Sequence, residues 1–277
     1  MGILNLTPDS FSDGGALDGP EAAAERAAAL VAAGADVLDL GAESTRPGAS
    51  PVDPAVERER LLPSLRAIRA RLPETALSVD TRNLAVAEAA LAAGADILND
   101  VQGISPPDPL RPSLAGLAAS TGAPWILMHN RTLGPDEAVW PTVATEARQA
   151  VEAALRAGVR PDQLWLDPGF GFGKSPEQNL ELVGRLSTLV RLGFPVLLGT
   201  SRKSTLGKVL GEPDPLRRGP GDAACATWGV AEGASMIRVH DVAAAAPVVR
   251  MAEAIRAGRS WPGNPPGCPT RIRTKTD

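Results

Sequence analysis

One short phrase recurs along the chain and narrows its fold more than any other feature. Ala32-Ala33-Gly34-Ala35-Asp36-Val37-Leu38-Asp39 returns almost unchanged as Ala92-Ala93-Gly94-Ala95-Asp96-Ile97-Leu98-Asn99, and a third version runs Ala231-Glu232-Gly233-Ala234-Ser235-Met236-Ile237-Arg238. In each, a helical run stops at a glycine suited to the left-handed position just past a helix. A short, partly β-branched apolar run follows, as a buried strand requires. The same cue predicts strands near Ile3–Leu6, Val37–Leu40, Leu77–Val79, Ile97–Leu98, Trp125–Met128, Leu164–Leu166, Val196–Leu198 and Met236–Val239. Ala-, Leu- and Arg-rich helices lie between them, among them Glu21–Ala33, Val56–Arg71, Thr142–Ala157 and Pro176–Leu192. Parallel strands need crossovers, and eight of them close without edges. The alternation therefore predicts a single-domain (β/α)8 TIM barrel over residues 1–257, with a doubly wound open sheet as the competing arrangement. From Gly258 the pattern stops, and the Pro-, Gly- and base-rich residues 258–277 are predicted to form a mobile tail.

A chain of 277 residues can bury a large core, as one α/β domain or two small ones. Its net charge of -4, with no basic stripe in the body, provides no footprint for nucleic acid or a membrane surface, so any phosphate contact must be local. The two cysteines, Cys225 and Cys268, lack metal spacing, which fits a reducing cytoplasm and no thiol nucleophile. Met1 opens onto Ile3-Leu4 without a charged leader or long apolar segment, so neither a signal peptide nor a membrane span is expected, and the location is expected to be cytoplasmic.

Barrel enzymes carry their chemistry at the C-terminal ends of strands, and here every predicted strand ends in polar groups. In order they are Asn5, Glu43-Ser44-Thr45-Arg46, Asp80, Asn99-Asp100, His129-Asn130, Asp167, Ser201-Arg202-Lys203-Ser204 and Arg238-Val239-His240-Asp241. One such group is an ordinary helix cap, but amides, carboxylates and cations converging from eight ends imply a shared pocket. Asp167-Pro168-Gly169-Phe170-Gly171-Phe172-Gly173-Lys174 seats an acid, two phenylalanines and a lysine on glycine-permissive backbone. By itself that run is equally a strand–helix connector. The Gly173-Lys174-Ser175 ending does not complete a phosphate loop of the GxxxxGK[ST] type, because Pro168 stands where its first glycine is required. The stretches 7–15 and 44–49 are long, hydroxyl-rich and broken by Gly and Pro, suited either to folding over a phosphate or to being solvated turns. Three of the four phenylalanines, Phe11, Phe170 and Phe172, fall in these loops, where they could stack on a flat ligand or pack into the core.

Taken together, MGILNLTPDSFSDGG, ESTRPGA, SVDT, NDV, MH, DPGFGFGK, SRKS and RVHD, in this order over roughly Met1 to Ala257, resemble bacterial dihydropteroate synthase of folate biosynthesis. The resemblance implies a pterin-binding (β/α)8 barrel, a homodimer, and condensation of 6-hydroxymethyl-7,8-dihydropterin diphosphate with 4-aminobenzoate. It implies that Asp80, Asn99, Met128, Asp167 and Lys203 bind the pterin, and that Asn5, Thr45, Arg238 and His240 hold the diphosphate. Phe11, Pro47, Phe172, Lys203 and Ser204 would take 4-aminobenzoate, where sulfonamides would compete. Asp80, Lys203, Thr45 and Arg46 would serve catalysis, and Mg2+ would sit near Asn5 and Asp13. The family pattern has residues before MGILN, so the first strand is expected to be truncated here. Two rival functions are a pterin-dependent methyltransferase of the same superfamily, which leaves the TPDSF, STRPG and SRKS segments without a purpose, and a noncatalytic pterin-binding paralogue, which should have lost site residues.

Overall fold

A computed structural model describes residues 1–6, 19–43, 52–104 and 114–260. Eight strands appear among them: β1 (Gly2–Asn5), β2 (Val37–Gly41), β3 (Ala76–Asp80), β4 (Ile97–Asp100), β5 (Trp125–Met128), β6 (Leu164–Asp167), β7 (Leu197–Leu198) and β8 (Met236–Ile237). Their helices are α1 (Pro20–Ala32), α2 (Pro54–Arg71), α3 (Leu84–Ala92), α4 (Ala115–Thr121), α5 (Val139–Arg156), α6 (Pro176–Gly184), α7 (Ser187–Val190), α8 (Ser204–Leu210), α9 (Gly219–Ala231) and α10 (Val242–Ala257). The first six strands pair in parallel in chain order, and β7 pairs with β8. Single parallel bridges, Leu166 to Val196 and Gly2 to Val239, link the two sheets at both seams. Ile3 N–H donates to the Val239 carbonyl at 2.9 Å and Leu166 N–H to that of Pro195 at 3.0 Å, so the pairings run in a ring. A doubly wound sheet reverses its strand order part-way, and this order never reverses.

The repeated joint behaves as its glycine requires. Gly34, Gly94 and Gly233 have φ of 106°, 109° and 99°, a region closed to most side chains. Between strands and helices lies the larger apolar core, which holds Leu38, Leu40, Leu77, Leu98, Leu127 and Leu166. A second cluster lies inside the ring, formed by Met1, Val37, Ile97, Ile126, Trp165, Leu197 and Met236 with Ala76 packed against it. Each residue in it comes from a different strand or its immediate start, as a barrel filled by layers of side chains demands.

The stretch expected to be one helix over Pro176–Leu192 is two. α6 ends at Gly184, a weak helix former, and Arg185 turns to φ -135°, ψ 35°; beyond it Leu186 and Leu189 become fully buried. Gly258–Ser260 form a short 3-10 turn, and the rest of the expected tail, 261–277, lies outside the described residues. No described helix is long and apolar enough to cross a membrane.

Candidate active site

Side chains on a strand alternate faces, so two steps from each inward apolar residue is the next inward position toward the C-terminal rim. Those steps run from Val37 to Asp39, Ala76 to Ser78 and then Asp80, Ile97 to Asn99, Ile126 to Met128, Trp165 to Asp167, and Met236 to Arg238. The barrel interior thus changes within one layer from an apolar plug to a set dominated by acids, with one amide and a guanidinium.

Arg238 organises one side of that layer. Its Nε donates to Asp39 Oδ2 at 2.6 Å and its Nη2 to Asp80 Oδ2 at 2.8 Å, while Asn99 Nδ2 donates to the same Asp39 oxygen at 3.0 Å. Asp39 is fully buried, and the remaining oxygens, Asp39 Oδ1 and Asp80 Oδ1, have no hydrogen-bond partner among the described residues. A buried acceptor left unpaired is costly, so this corner suits a ligand that brings N–H or O–H donors. Burial pushes the Asp80 carboxyl up to about 7, against the pull of Arg238, and the neighbouring Asp39 charge adds to the rise.

Opposite stand Asp167 and Lys203. Asp167 Oδ1 accepts the Gly169 N–H at 2.7 Å, and burial raises its carboxyl above the usual range while Lys203 lowers it. Lys203 Nζ donates to the Phe170 carbonyl at 2.5 Å and lies 4.5 Å from the centroid of the Phe172 ring. Burial lowers its ammonium to about 8, with Asp167 holding it back. The glycines of this turn are sterically required. A Cβ on Gly169, at φ 69°, would fall 1.8 Å from the His129 carbonyl oxygen, and one on Gly171, at φ 82°, would fall 2.7 Å from Lys203 Cδ.

Lys203 itself follows a strained residue. Arg202 has φ 60°, unusual outside glycine, and is held there by its N–H on Asp222 Oδ2 at 3.2 Å and its carbonyl on Arg218 Nη1 at 2.7 Å. Asp222 Oδ2 also accepts the Ser201 hydroxyl at 3.2 Å, and Ser201 Oγ lies 3.1 Å from His240 Nδ1 and accepts the His240 N–H at 3.2 Å. Asn5 ends β1 half-buried opposite Gly41, and Ser204 opens α8 exposed to solvent.

Residues 1–240 match the pterin binding enzyme family. A dihydropteroate synthase of Synechocystis sp. is 43% identical over 264 residues, which is 92% of this chain and 89% of that one. The chain belongs to the pterin-binding enzyme family, in its dihydropteroate synthase branch. Two solved structures of the Xanthomonas albilineans dihydropteroate synthase are superposable on it. One, with 4-aminobenzoic acid, is 40% identical at a TM-score of 0.85, covering 92% of each chain. The other, with 7,8-dihydropteroate, is 38% identical at 0.84, again covering 92% of each.

Of the residues that the family resemblance nominates, Asp80, Asn99, Asp167, Lys203 and Arg238 share this pocket, with Met128 buried at the end of β5. Phe11, Asp13, Thr45, Arg46 and Pro47 lie outside the described residues. One expectation is corrected. His129 does not turn to the shared pocket: it is fully buried, pairs through Nε2 with Glu146 Oε2 on α5 at 2.9 Å, and burial lowers its pKa to about 4. Of the two readings open for the loop phenylalanines, Phe170 takes the core, fully buried, while Phe172 remains half-exposed. Residues the sequence reading passed over are Asp39 and Asp222. The signal for Asp39 was an acid inside the apolar run Val37-Leu38-Asp39-Leu40, since an unpaired charge is rarely buried.

Proposed function

We propose that this pocket condenses 6-hydroxymethyl-7,8-dihydropterin diphosphate with 4-aminobenzoate. The products are 7,8-dihydropteroate and diphosphate. The observation that carries the reading is the meeting of a buried carboxylate, an amide and an ammonium, Asp167, Asn99 and Lys203, beside two carboxylate oxygens that lack donors. A flat heterocycle with amino and ring N–H donors on one edge and ring acceptors on another satisfies such a set. Family membership makes the chain a transferase, and the molecules bound in the Xanthomonas albilineans relatives are one substrate and the product of this reaction.

In this reading Asp167 accepts from the pterin 2-amino and N3 positions, Asn99 makes a mixed contact, and Lys203 donates to the 4-oxo and N5 edge. The bond between the pterin methylene and the diphosphate oxygen breaks, its electron pair leaving with the diphosphate. The amine lone pair then forms the new C–N bond and the amine loses a proton. Asp80, facing the ring from β3, stabilises positive charge that develops on the pterin as the leaving group departs. Arg238 and His240 face the diphosphate, with Thr45 and Arg46 assigned to the same task by resemblance. Phe172, Lys203 and Ser204 line the 4-aminobenzoate end, a task that the resemblance also assigns to Phe11 and Pro47, and sulfonamides compete there.

The donor chemistry fits Mg2+, a hard ion that takes oxygen ligands and is commonly held by one or two side chains together with substrate phosphates. The Asn5 carboxamide and Asp13 would hold it, and the ion would neutralise charge on the leaving diphosphate. We further propose a cytoplasmic homodimer. Trp228 on α9 and Met251 and Ile255 on α10 are 55%, 63% and 69% exposed on helices that pack against one another, which suits an apolar face between two copies.

Incubation of the protein with the pterin diphosphate, Mg2+ and 4-aminobenzoate, followed by chromatography, tests the reaction. The expected result is dihydropteroate and diphosphate in equal amounts; folded protein that forms neither overturns the proposal.

A further inference from the structure

Asn179 lies in α6, away from the strand ends, with 1% of its surface exposed. Its Oδ1 accepts the Gly171 N–H at 2.7 Å, and its Nδ2 donates to the Lys174 carbonyl at 3.2 Å and to Thr205 Oγ1 at 3.0 Å. The amide orientation is forced, because Gly171 offers only a donor and Lys174 only an acceptor. One buried side chain therefore fixes both ends of the Phe172 turn and straps that turn to the first helical turn of α8, next to Lys203 and Ser204.

We propose that Asn179 is a positioning residue for the amine substrate. This rests on the placement of 4-aminobenzoate between Phe172 and Lys203–Ser204. Those two walls come from different βα units, and within the described residues the Asn179 amide is a direct side-chain link between the turn carrying one and the helix opening with the other. The strap sets the width of a slot for a flat ring, and small errors in such spacing are expensive for a reaction that depends on alignment. Asn179 touches none of the side chains given to the pterin: Asp80, Asn99 and Asp167 stand on strand ends, and Lys203, which serves both substrates, has its own bond from Nζ to the Phe170 carbonyl.

Steady-state kinetics of Asn179→Leu, Thr205→Val and Phe172→Ala, with KM measured for each substrate, test this. Asn179→Leu and Thr205→Val should each raise the KM for 4-aminobenzoate by about tenfold and leave that for the pterin diphosphate within about twofold. The double variant should be no worse than Asn179→Leu alone, since both cut one strap. Both KM values rising together, or neither moving, overturns the proposal, because loosened packing alone would not single out one substrate. If Asn179→Leu does not fold, the near-isosteric Thr205→Val decides by itself. Phe172→Ala separates the two layers of inference. A raised 4-aminobenzoate KM there with no change in Thr205→Val sinks the role of Asn179 alone; no change in Phe172→Ala sinks the placement of the substrate.

Discussion

Asp39 is the residue whose surroundings depend most on partners far away in the chain. It shares one oxygen between Arg238, which is 199 positions away, and Asn99, 60 positions away. Removing one member of a buried ion pair leaves an uncompensated charge, so Asp39→Ala should lower unfolding free energy by about 3–5 kcal/mol in urea titrations. A change below about 1 kcal/mol would mean that Asp80 alone satisfies Arg238. The acid was legible in the sequence as an oddity but its purpose was not, because nothing local announces a partner contributed by the last strand. The rim residues were easier. Asp80, Asn99 and Asp167 stand where an apolar run gives way to polar residues, and the topology alone turns them to one mouth. Their ionisation sets a pH dependence. With Asp80 pushed up to about 7 and Lys203 down to about 8, kcat/KM should rise as Asp80 loses its proton and fall as Lys203 loses its own. Lys203→Arg should remove the alkaline fall, and persistence of that fall would assign it to another group. The stability sign for Lys203 follows from the same shift. Between about 8 and the ordinary lysine value near 10.4, the unfolded chain holds a proton that the folded one lacks, so this group's contribution grows with pH across that window.

At the scale of elements, the glycine-terminated αβ joint made the strands readable, and the observed φ values show why glycine recurs there. Gly94→Ala would force a Cβ into the left-handed region at 3.2 Å from Arg69 Cγ, and should cost about 1–2 kcal/mol. Gly116→Ala is the contrasting case. It lies exposed inside α4 with ordinary φ and nothing within 4 Å of an added Cβ, so thermal melts should show a gain of about 0.5–1 kcal/mol. Equal effects at both sites would contradict the conformational argument. The break between α6 and α7 was not legible, since Leu182, Leu186 and Leu189 keep apolar spacing across it and only the turn at Arg185 redirects the chain. The turn over 168–174 was legible as a glycine-rich run that serves either a ligand or the connection from strand to helix. Its division of labour was not, because Phe170 and Phe172 look alike in sequence and only packing sends one to the core and leaves the other beneath Lys203.

For the whole molecule, strand order and the ring of pairings place the strand ends on one face, which is why polar groups at eight of them read as a single site, although His129 turns away from it to Glu146. The proposed dimer depends on the outer face. Trp228→Glu with Met251→Glu should shift the sedimentation coefficient to that of a monomer while leaving the barrel folded; a coefficient unchanged from the parent would rule out this face. The central claim is that the pocket reads a pterin through Asp167, and it is tested most directly by calorimetric titration of the pterin diphosphate into the parent protein and Asp167→Asn. A carboxylate that accepts two N–H groups becomes an amide that presents a donor to one of them, so affinity should fall by at least about tenfold. Equal affinity in the two proteins would contradict the account.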